Sequence, residues 1–259
     1  MSDNSQSRKI RGDTMFKEAV YINTNKIYDS CYDKDCINDL KVYFTTTMQP
    51  VIDAAYSVKA RDVEVLNVFL DCEQVPYNQG FYSVDMTYFF SIKFEAFTSP
   101  IGIPANVDGL AVYNKKVVLY GGDGNVKTFT SRDDHENYNA HEADVHRQYP
   151  KAVTQVAPPM VLNVEVEKNI DDDENPLTVP VIVSRRFDGE FNDVHPNKTV
   201  KITLGLFTIC QLERNVQILI PSYDFCIPKK ENSPSAENPC ELFNKINFPI
   251  DDFYPPNIK

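Results

Sequence analysis

The sequence predicts an all-β fold: an antiparallel β-sandwich, formed as one large domain or two small ones, with extended terminal arms. Two long segments, Phe81–Phe97 and Val200–Leu212, alternate apolar and polar residues. Several shorter apolar segments lie between turn-forming residues, and many strands joined by short turns are typical of antiparallel sandwiches. The 16 Phe and 14 Tyr residues suit the cross-strand pairs of such sheets.

The alternation of Phe81–Phe97 is the clearest pattern in the chain. Each even-numbered residue of this segment is apolar or aromatic, and most odd-numbered residues are polar. A period of two places the apolar side chains on one face of a strand, whereas a helix would spread them around its circumference. Phe81, Phe89 and Phe97 recur on the other face. They predict an apolar stripe on the outside of the sheet, which we interpret as an assembly surface.

The second long segment, Val200–Leu212, alternates less regularly. Its even-numbered residues are apolar apart from Thr208, but Phe207 and Ile209 interrupt the polar face. The pattern still predicts a strand. Further strands are predicted at Val63–Leu70, Gly109–Tyr113, Val117–Tyr120, Val126–Thr130, Met160–Val166, Val179–Val183 and Val216–Ile220.

Turns, a helix and loops complete the predicted elements. Residues 114–116 have the composition of a tight hairpin turn. A helical pattern occurs only within Asn38–Tyr56, where Pro50 interrupts it. The polar segments Ser131–Tyr149, with three of the four histidines, and Lys168–Pro176 predict surface loops.

The predicted domain organisation has three parts. A flexible N-terminal arm occupies residues 1–16, and the sandwich region covers 17–228. A division of that region near 131–158 would separate two smaller domains. Residues 229–259 are rich in Pro, Asn, Ser and acidic residues, and they predict an extended C-terminal arm.

Charge and hydropathy exclude several partners. The net charge is −11 and the isoelectric point is near 4.8. Such a chain is repelled by phosphate backbones and anionic membrane surfaces, so nucleic acid and membrane are not expected partners. The first residues lack the apolar core of a signal peptide, and no apolar run is long enough to cross a membrane. We therefore expect synthesis in the cytosol.

Six cysteines are candidates for cross-linking. Without a signal peptide they are expected to be thiols when the chain folds, and to form disulfides only after later exposure to oxidising surroundings. They are Cys31, Cys36, Cys72, Cys210, Cys226 and Cys240.

An acidic segment around Cys31 and Cys36 is a candidate calcium site. Oxygen ligands at this density suit calcium, although the glycine and terminal Glu of an EF-hand are missing. The carboxylates are Asp29, Asp33, Asp35 and Asp39. A local disulfide between the two cysteines and a plain acidic turn are the alternatives. No other cofactor is expected.

No catalytic constellation is recognised in the sequence. His141 and His146 flank Glu142, as in a zinc-protease motif, but they are five residues apart instead of four, which would rotate the second imidazole away on a helix. No nucleophile elbow, phosphate loop or acid–base pair is evident. The sequence therefore predicts a protein that is not an enzyme.

Four segments resemble an uncharacterised family of about this length from spore-forming clostridia and related Firmicutes. They are KEAVYINTNKIYDSCYDKDCINDL (Lys17–Leu40), VLNVFLDCEQVPYNQGFYSVDMTYFF (Val65–Phe90), GLAVYNKKVVLYGGDGNVKTF (Gly109–Phe129) and ILIPSYDFCIP (Ile218–Pro228). The resemblance covers nearly the whole chain. It implies a place on the spore surface, in the coat, the exosporium or an appendage, and it implies no catalytic residues.

The sequence thus predicts a non-enzymatic structural protein. We expect it to be made in the mother cell and deposited on the spore. There it would assemble with itself, or with other spore-surface proteins, into a layer or filament. Long aromatic strands suit packing between subunits. The alternative is a β-sandwich binding module for carbohydrate or a partner protein, with structural calcium.

Overall fold

The computed structural model of the chain describes residues 18–99, 101–124, 149–168, 178–191 and 196–222. Most of these residues lie in strands, and the two helices among them are short. The elements in chain order are β1 (Glu18–Tyr43), α1 (Gln49–Ala54), β2 (Ser57–Gln74), β3 (Phe81–Phe97), β4 (Ala105–Tyr120), β5 (Lys151–Val156), β6 (Met160–Lys168), α2 (Val181–Ser184) and β7 (Lys198–Ser222). The all-β prediction is confirmed.

The chain divides into two units, and the division differs from the one predicted near 131–158. One unit is 25–216, and the other combines 1–24 with 217–259. Of the second unit the structure describes residues 18–24 and 217–222, which are the outer ends of β1 and β7. The predicted arms lie outside the described residues, and all contacts reported below belong to the first unit.

The strands form a single antiparallel sheet with the order β2-β3-β4-β1-β7-β5, and β6 also pairs with β7. The predicted arrangement of two stacked sheets is therefore not confirmed. β5 and β6 pair with successive parts of β7, at 208–213 and 198–205. Pro158 and Pro159 lie between them, where the missing backbone N–H groups interrupt the ladder.

The core lies inside this curved sheet. The even-numbered residues of β3, from Tyr82 to Ala96, are buried, as are those of β7 from Val200 to Leu212. Both sets belong to one hydrophobic cluster, although β4 and β1 separate the two strands in the sheet. The sheet must therefore curve strongly. Its two end regions meet, so that β2 lies against β5 and β6.

Several predicted strands are confirmed and others change. Val63–Leu70 and Met160–Val166 lie within β2 and β6, and Val216–Ile220 belongs to β7 rather than to a separate strand. The hairpin predicted at 114–116 is wrong, because β4 continues through it while paired with β3. Val126–Thr130 lies outside the described residues.

One further prediction is wrong and another is confirmed in part. Val179–Val183 is not a strand, because Pro180 precedes the helical turn α2. Val183, in that turn, packs against Phe89 on the outer face of the sheet. The helix predicted within Asn38–Tyr56 is confirmed as α1, whereas the first residues of that range belong to β1. Pro50 does not interrupt α1 but stands in its first turn, where a missing N–H is tolerated.

Candidate functional site

The alternation of side chains along β1 determines which residues of the acidic segment face the core. From Cys31 to Ile37 the odd-numbered residues face the core, and beyond Asp39 the even-numbered Leu40 and Val42 do so. Asp39 has a φ of 53°, a left-handed conformation that allows the strand to change face. This change places the side chains of the preceding segment, with its carboxylates, toward the interior.

Asp33 and Asp35 use their carboxylates to hold a lysine. The Nζ atom of Lys115, on the inner face of β4, lies 2.9 Å from Oδ2 of Asp33 and 2.5 Å from Oδ2 of Asp35. The Lys115 side chain is only 12% exposed. Burial lowers its pKa, but the hydrogen bonds and charges of both carboxylates outweigh burial and raise it. Lys115 is therefore a cation at neutral pH and is unsuited to act as a base or nucleophile.

The predicted calcium site is not formed by the four aspartates. Asp33 and Asp35 are occupied by Lys115, and Oδ2 of Asp29 accepts a hydrogen bond from the backbone N–H of Tyr120 at 2.9 Å. The four residues are spread along one extended strand, so their oxygens cannot all reach a single ion. Among the residues that the structure describes, no group of His, Cys, Asp or Glu is arranged to hold a metal ion.

Three of the four cysteines that the structure describes face the core. Cys210 on β7 is buried, and Cys31 on β1 and Cys72 on β2 pack against the same hydrophobic cluster. All three are free thiols. Burial raises the pKa of Cys72 and of Cys210 to about 11, and it raises that of Cys31 as well. Few thiolates are present at neutral pH, so these residues are poor candidates for cross-links between chains.

Cys36 differs from the other described cysteines because it is exposed. It lies five residues from Cys31 on the same strand, and an odd separation puts the two side chains on opposite faces. A local disulfide between them is therefore excluded by the strand geometry. Cys226 and Cys240 lie outside the described residues.

The stripe predicted from Phe81, Phe89 and Phe97 is not continuous. Phe89 is 4% exposed and is covered by Val183 and Phe187 from the segment around α2. Phe81 is partly exposed and packs edge-on against Tyr120, with 5.4 Å between the ring centroids. The expectation of an exposed aromatic surface is therefore wrong at its middle residue.

A different apolar surface lies on the outer face of β6 and β7. We call it the outer patch and define it by Met160, Leu162, Phe207 and Ile209, which are 49, 57, 42 and 42% exposed. A Cβ at Gly205 would lie 3.6 Å from Leu162 and 3.7 Å from Met160, which are ordinary contact distances and show that both side chains lie over β7. The interrupted polar face of Val200–Leu212 was the sequence signal for this surface.

Arg214 organises one end of the sheet. Its guanidinium donates hydrogen bonds to the carbonyls of Gly121, Gly122 and Gly124, and to the hydroxyl of Tyr82 at 2.9 Å. The group also lies over the Tyr82 ring. These contacts are structural, since carbonyl oxygens use the donors that an anionic ligand would need.

The other residues that the sequence suggested as a functional site lie outside the described residues. His141, Glu142 and His146 lie outside the described residues, as does the acidic run 171–174. No helix within the described parts of the chain is long and apolar enough to cross a membrane.

The comparisons with known proteins give no relatives. No family model matches the chain, and neither the curated proteins nor the solved structures contain a match. Two features therefore stand out in the described residues: the outer patch, and Lys115 with Asp33 and Asp35, which we call the interior ion cluster.

Proposed function

We propose that this chain is a non-enzymatic structural protein that packs against copies of itself in a layer or filament. The outer patch is the observation that carries the proposal. Four large apolar side chains stand together on a sheet face, each about half exposed. Grouped exposed apolar residues mark interaction surfaces, whereas isolated ones are ordinary. The resemblance to a spore-associated family supports the spore surface as the place of assembly.

A second copy of the chain is the partner that we propose for the outer patch, because like apolar surfaces bury each other without an unpaired charge. The Nζ atom of Lys34 lies 5.7 Å from the ring centroid of Phe207 and puts a positive charge beside the outer patch. On the same face, Lys201 and Glu167 form an ion pair of 2.6 Å. Lys34 can pair with a carboxylate of the second copy at contact, whereas the net charge of −11 on each chain opposes their approach.

The size of the outer patch sets the expected strength of one contact. Burying the exposed half of a large apolar side chain contributes on the order of 1 kcal/mol. A contact between the patches of two copies buries eight such side chains and would contribute on the order of 8 kcal/mol. The translational and rotational entropy that the two chains lose on association opposes this contribution. A single contact is therefore weak, and a stable layer needs several contacts for each chain.

Sedimentation velocity at rising protein concentration tests the proposal. We expect reversible association between about 5 and 500 µM. Leu162→Glu should abolish it, because a carboxylate would be buried in the contact. Ile103→Glu is the matched control: Ile103 is exposed in the loop before β4, and this variant should associate like the parent chain.

Two results would contradict the proposal. One is a parent chain that remains monomeric over the whole concentration range. The other is equal association of the Leu162→Glu and parent chains, which would show that assembly uses another surface.

A further inference from the structure

Two thiols lie side by side on neighbouring strands. β1 and β7 are adjacent in the sheet, and Cys31 and Cys210 both face the core from them. The Nζ atom of Lys34 lies 5.7 Å from the ring centroid of Phe207 on the opposite face of the same two strands. Lys34 and Phe207 are each three residues from one of the cysteines, so this contact indicates a register in which Cys31 lies opposite Cys210. Burial raises the pKa of Cys31, and the Cys210 backbone opposes this by lowering it, which fits their proximity. Opposed residues of adjacent antiparallel strands have Cα atoms about 4.5–5.5 Å apart. This separation lies within the range of about 4.4–6.8 Å that a disulfide spans.

We propose that Cys31 and Cys210 are an oxidation site and form a disulfide that ties β1 to β7 within one chain. The bond would join residues far apart in the sequence, at the centre of the sheet. It would leave the outer patch untouched, so the inference does not depend on the proposed function.

The other described cysteines are less suitable partners. Cys72 also faces the core, but β2 is not hydrogen-bonded to β1 or β7, and it reaches Cys210 only across the interior. Sheet faces packed on each other are about 10 Å apart, which exceeds the span of a disulfide. Cys36 is exposed on the opposite face of β1.

The reaction balances with a small-molecule disulfide, R–S–S–R, as the oxidant. The thiolate of Cys31, the more accessible of the pair, attacks one sulfur and releases RS⁻. The thiolate of Cys210 then attacks the sulfur of Cys31 and releases a second RS⁻. Two protein thiols are oxidised, one R–S–S–R is reduced, and the two thiol protons convert the released thiolates to RSH. Because burial suppresses both thiolates, the reaction should be slower than mixed-disulfide formation at Cys36.

Oxidised glutathione at alkaline pH tests the assignment in the full chain. After alkylation of the remaining thiols, we expect a proteolytic peptide pair joined through Cys31 and Cys210. The oxidised monomer should migrate faster on a non-reducing gel, and its Tm should rise by about 10 °C, because a disulfide that closes a long loop is strongly stabilising. A reductant should reverse both changes.

Matched variants separate the outcomes. Cys31→Ser should abolish the linked peptide and the rise in Tm, whereas Cys36→Ser should keep both. Cys31→Ser is preferred to a change at Cys210, which is buried in the core. A main product that links any other cysteines would overturn the proposal. The proposal would also be overturned if glutathione modified Cys36 while Cys31 and Cys210 stayed reduced and were recovered in the alkylated form.

Discussion

Lys115 and Lys116 are neighbours in the sequence but lie in opposite environments. Lys115 is on the inner face of β4 between Asp33 and Asp35, whereas Lys116 is outside and pairs with Asp85 at 3.0 Å. The Lys116 side chain is 61% exposed. An exposed ion pair contributes little because water screens it and side-chain entropy opposes it. A pair that is largely buried cannot lose one partner without leaving a poorly solvated charge.

We predict that Lys115→Met lowers the free energy of unfolding by about 2 kcal/mol. The matched change Lys116→Met should lower it by less than about 0.5 kcal/mol. Urea denaturation at neutral pH measures both values. Equal effects of the two substitutions would contradict the role assigned to the interior ion cluster.

The same cluster predicts a dependence on pH. The pKa of Lys115 is raised in the folded chain, so the protonated lysine is favoured by folding. Its contribution is fully present below the unfolded pKa and is lost as the pH rises through the folded pKa. The difference in stability between the parent chain and Lys115→Met should therefore narrow above about pH 10.5. If the difference in the free energy of unfolding between the two chains stayed constant up to about pH 12, the protonated Lys115 would not be what stabilises the fold.

At the scale of elements, the segment around α2 explains why an outward-facing residue is buried. Val179, Val183, Phe187 and Phe191 pack over Phe89 on the outer face of the sheet. The rings of Phe187 and Phe191 meet edge-on, with centroids 5.1 Å apart. This cover turns part of the predicted stripe into a second, smaller core.

We predict that Phe89→Ala lowers the free energy of unfolding by about 3 kcal/mol, because it leaves a cavity under this cover. Phe81→Ala, at a partly exposed position on the same face of β3, should cost about 1 kcal/mol or less. Chemical denaturation of the two variants checks the order. If both substitutions lowered the free energy of unfolding by about 1 kcal/mol or less, the segment around α2 would not be packed firmly over Phe89.

At the scale of the whole molecule, the net charge of −11 opposes the approach of two copies. The attraction between outer patches acts only at contact, whereas repulsion between like charges acts over about 8 Å at physiological salt. Lowering the pH toward the isoelectric point near 4.8 removes most of this repulsion.

Association should therefore be stronger at pH 5 than at pH 8, as measured by sedimentation at one fixed concentration. The Leu162→Glu variant should remain monomeric at both pH values. Association of this variant at pH 5 to the same extent as the parent chain would indicate nonspecific precipitation instead.

Much of the site depended on contacts between distant parts of the chain. The aspartates at 33 and 35 were recognised as a cluster from the sequence, but their partner Lys115 lies 80 residues from Asp35. Local spacing carries no information about such a pair. β1 was missed because the change of face at Asp39 shifts its alternation, so that no single period of two extends along the strand.

The sequence by itself determined the all-β class. The regular patterns of Phe81–Phe97 and Val200–Leu212 report burial on one face, and only an extended strand has a period of two. Tertiary structure alone decided that both strands belong to one curved sheet with a shared core, that α2 covers Phe89, and that Cys31 and Cys210 face the core from neighbouring strands. Periodicity records which face of a strand avoids water, but it does not record which other segment covers that face.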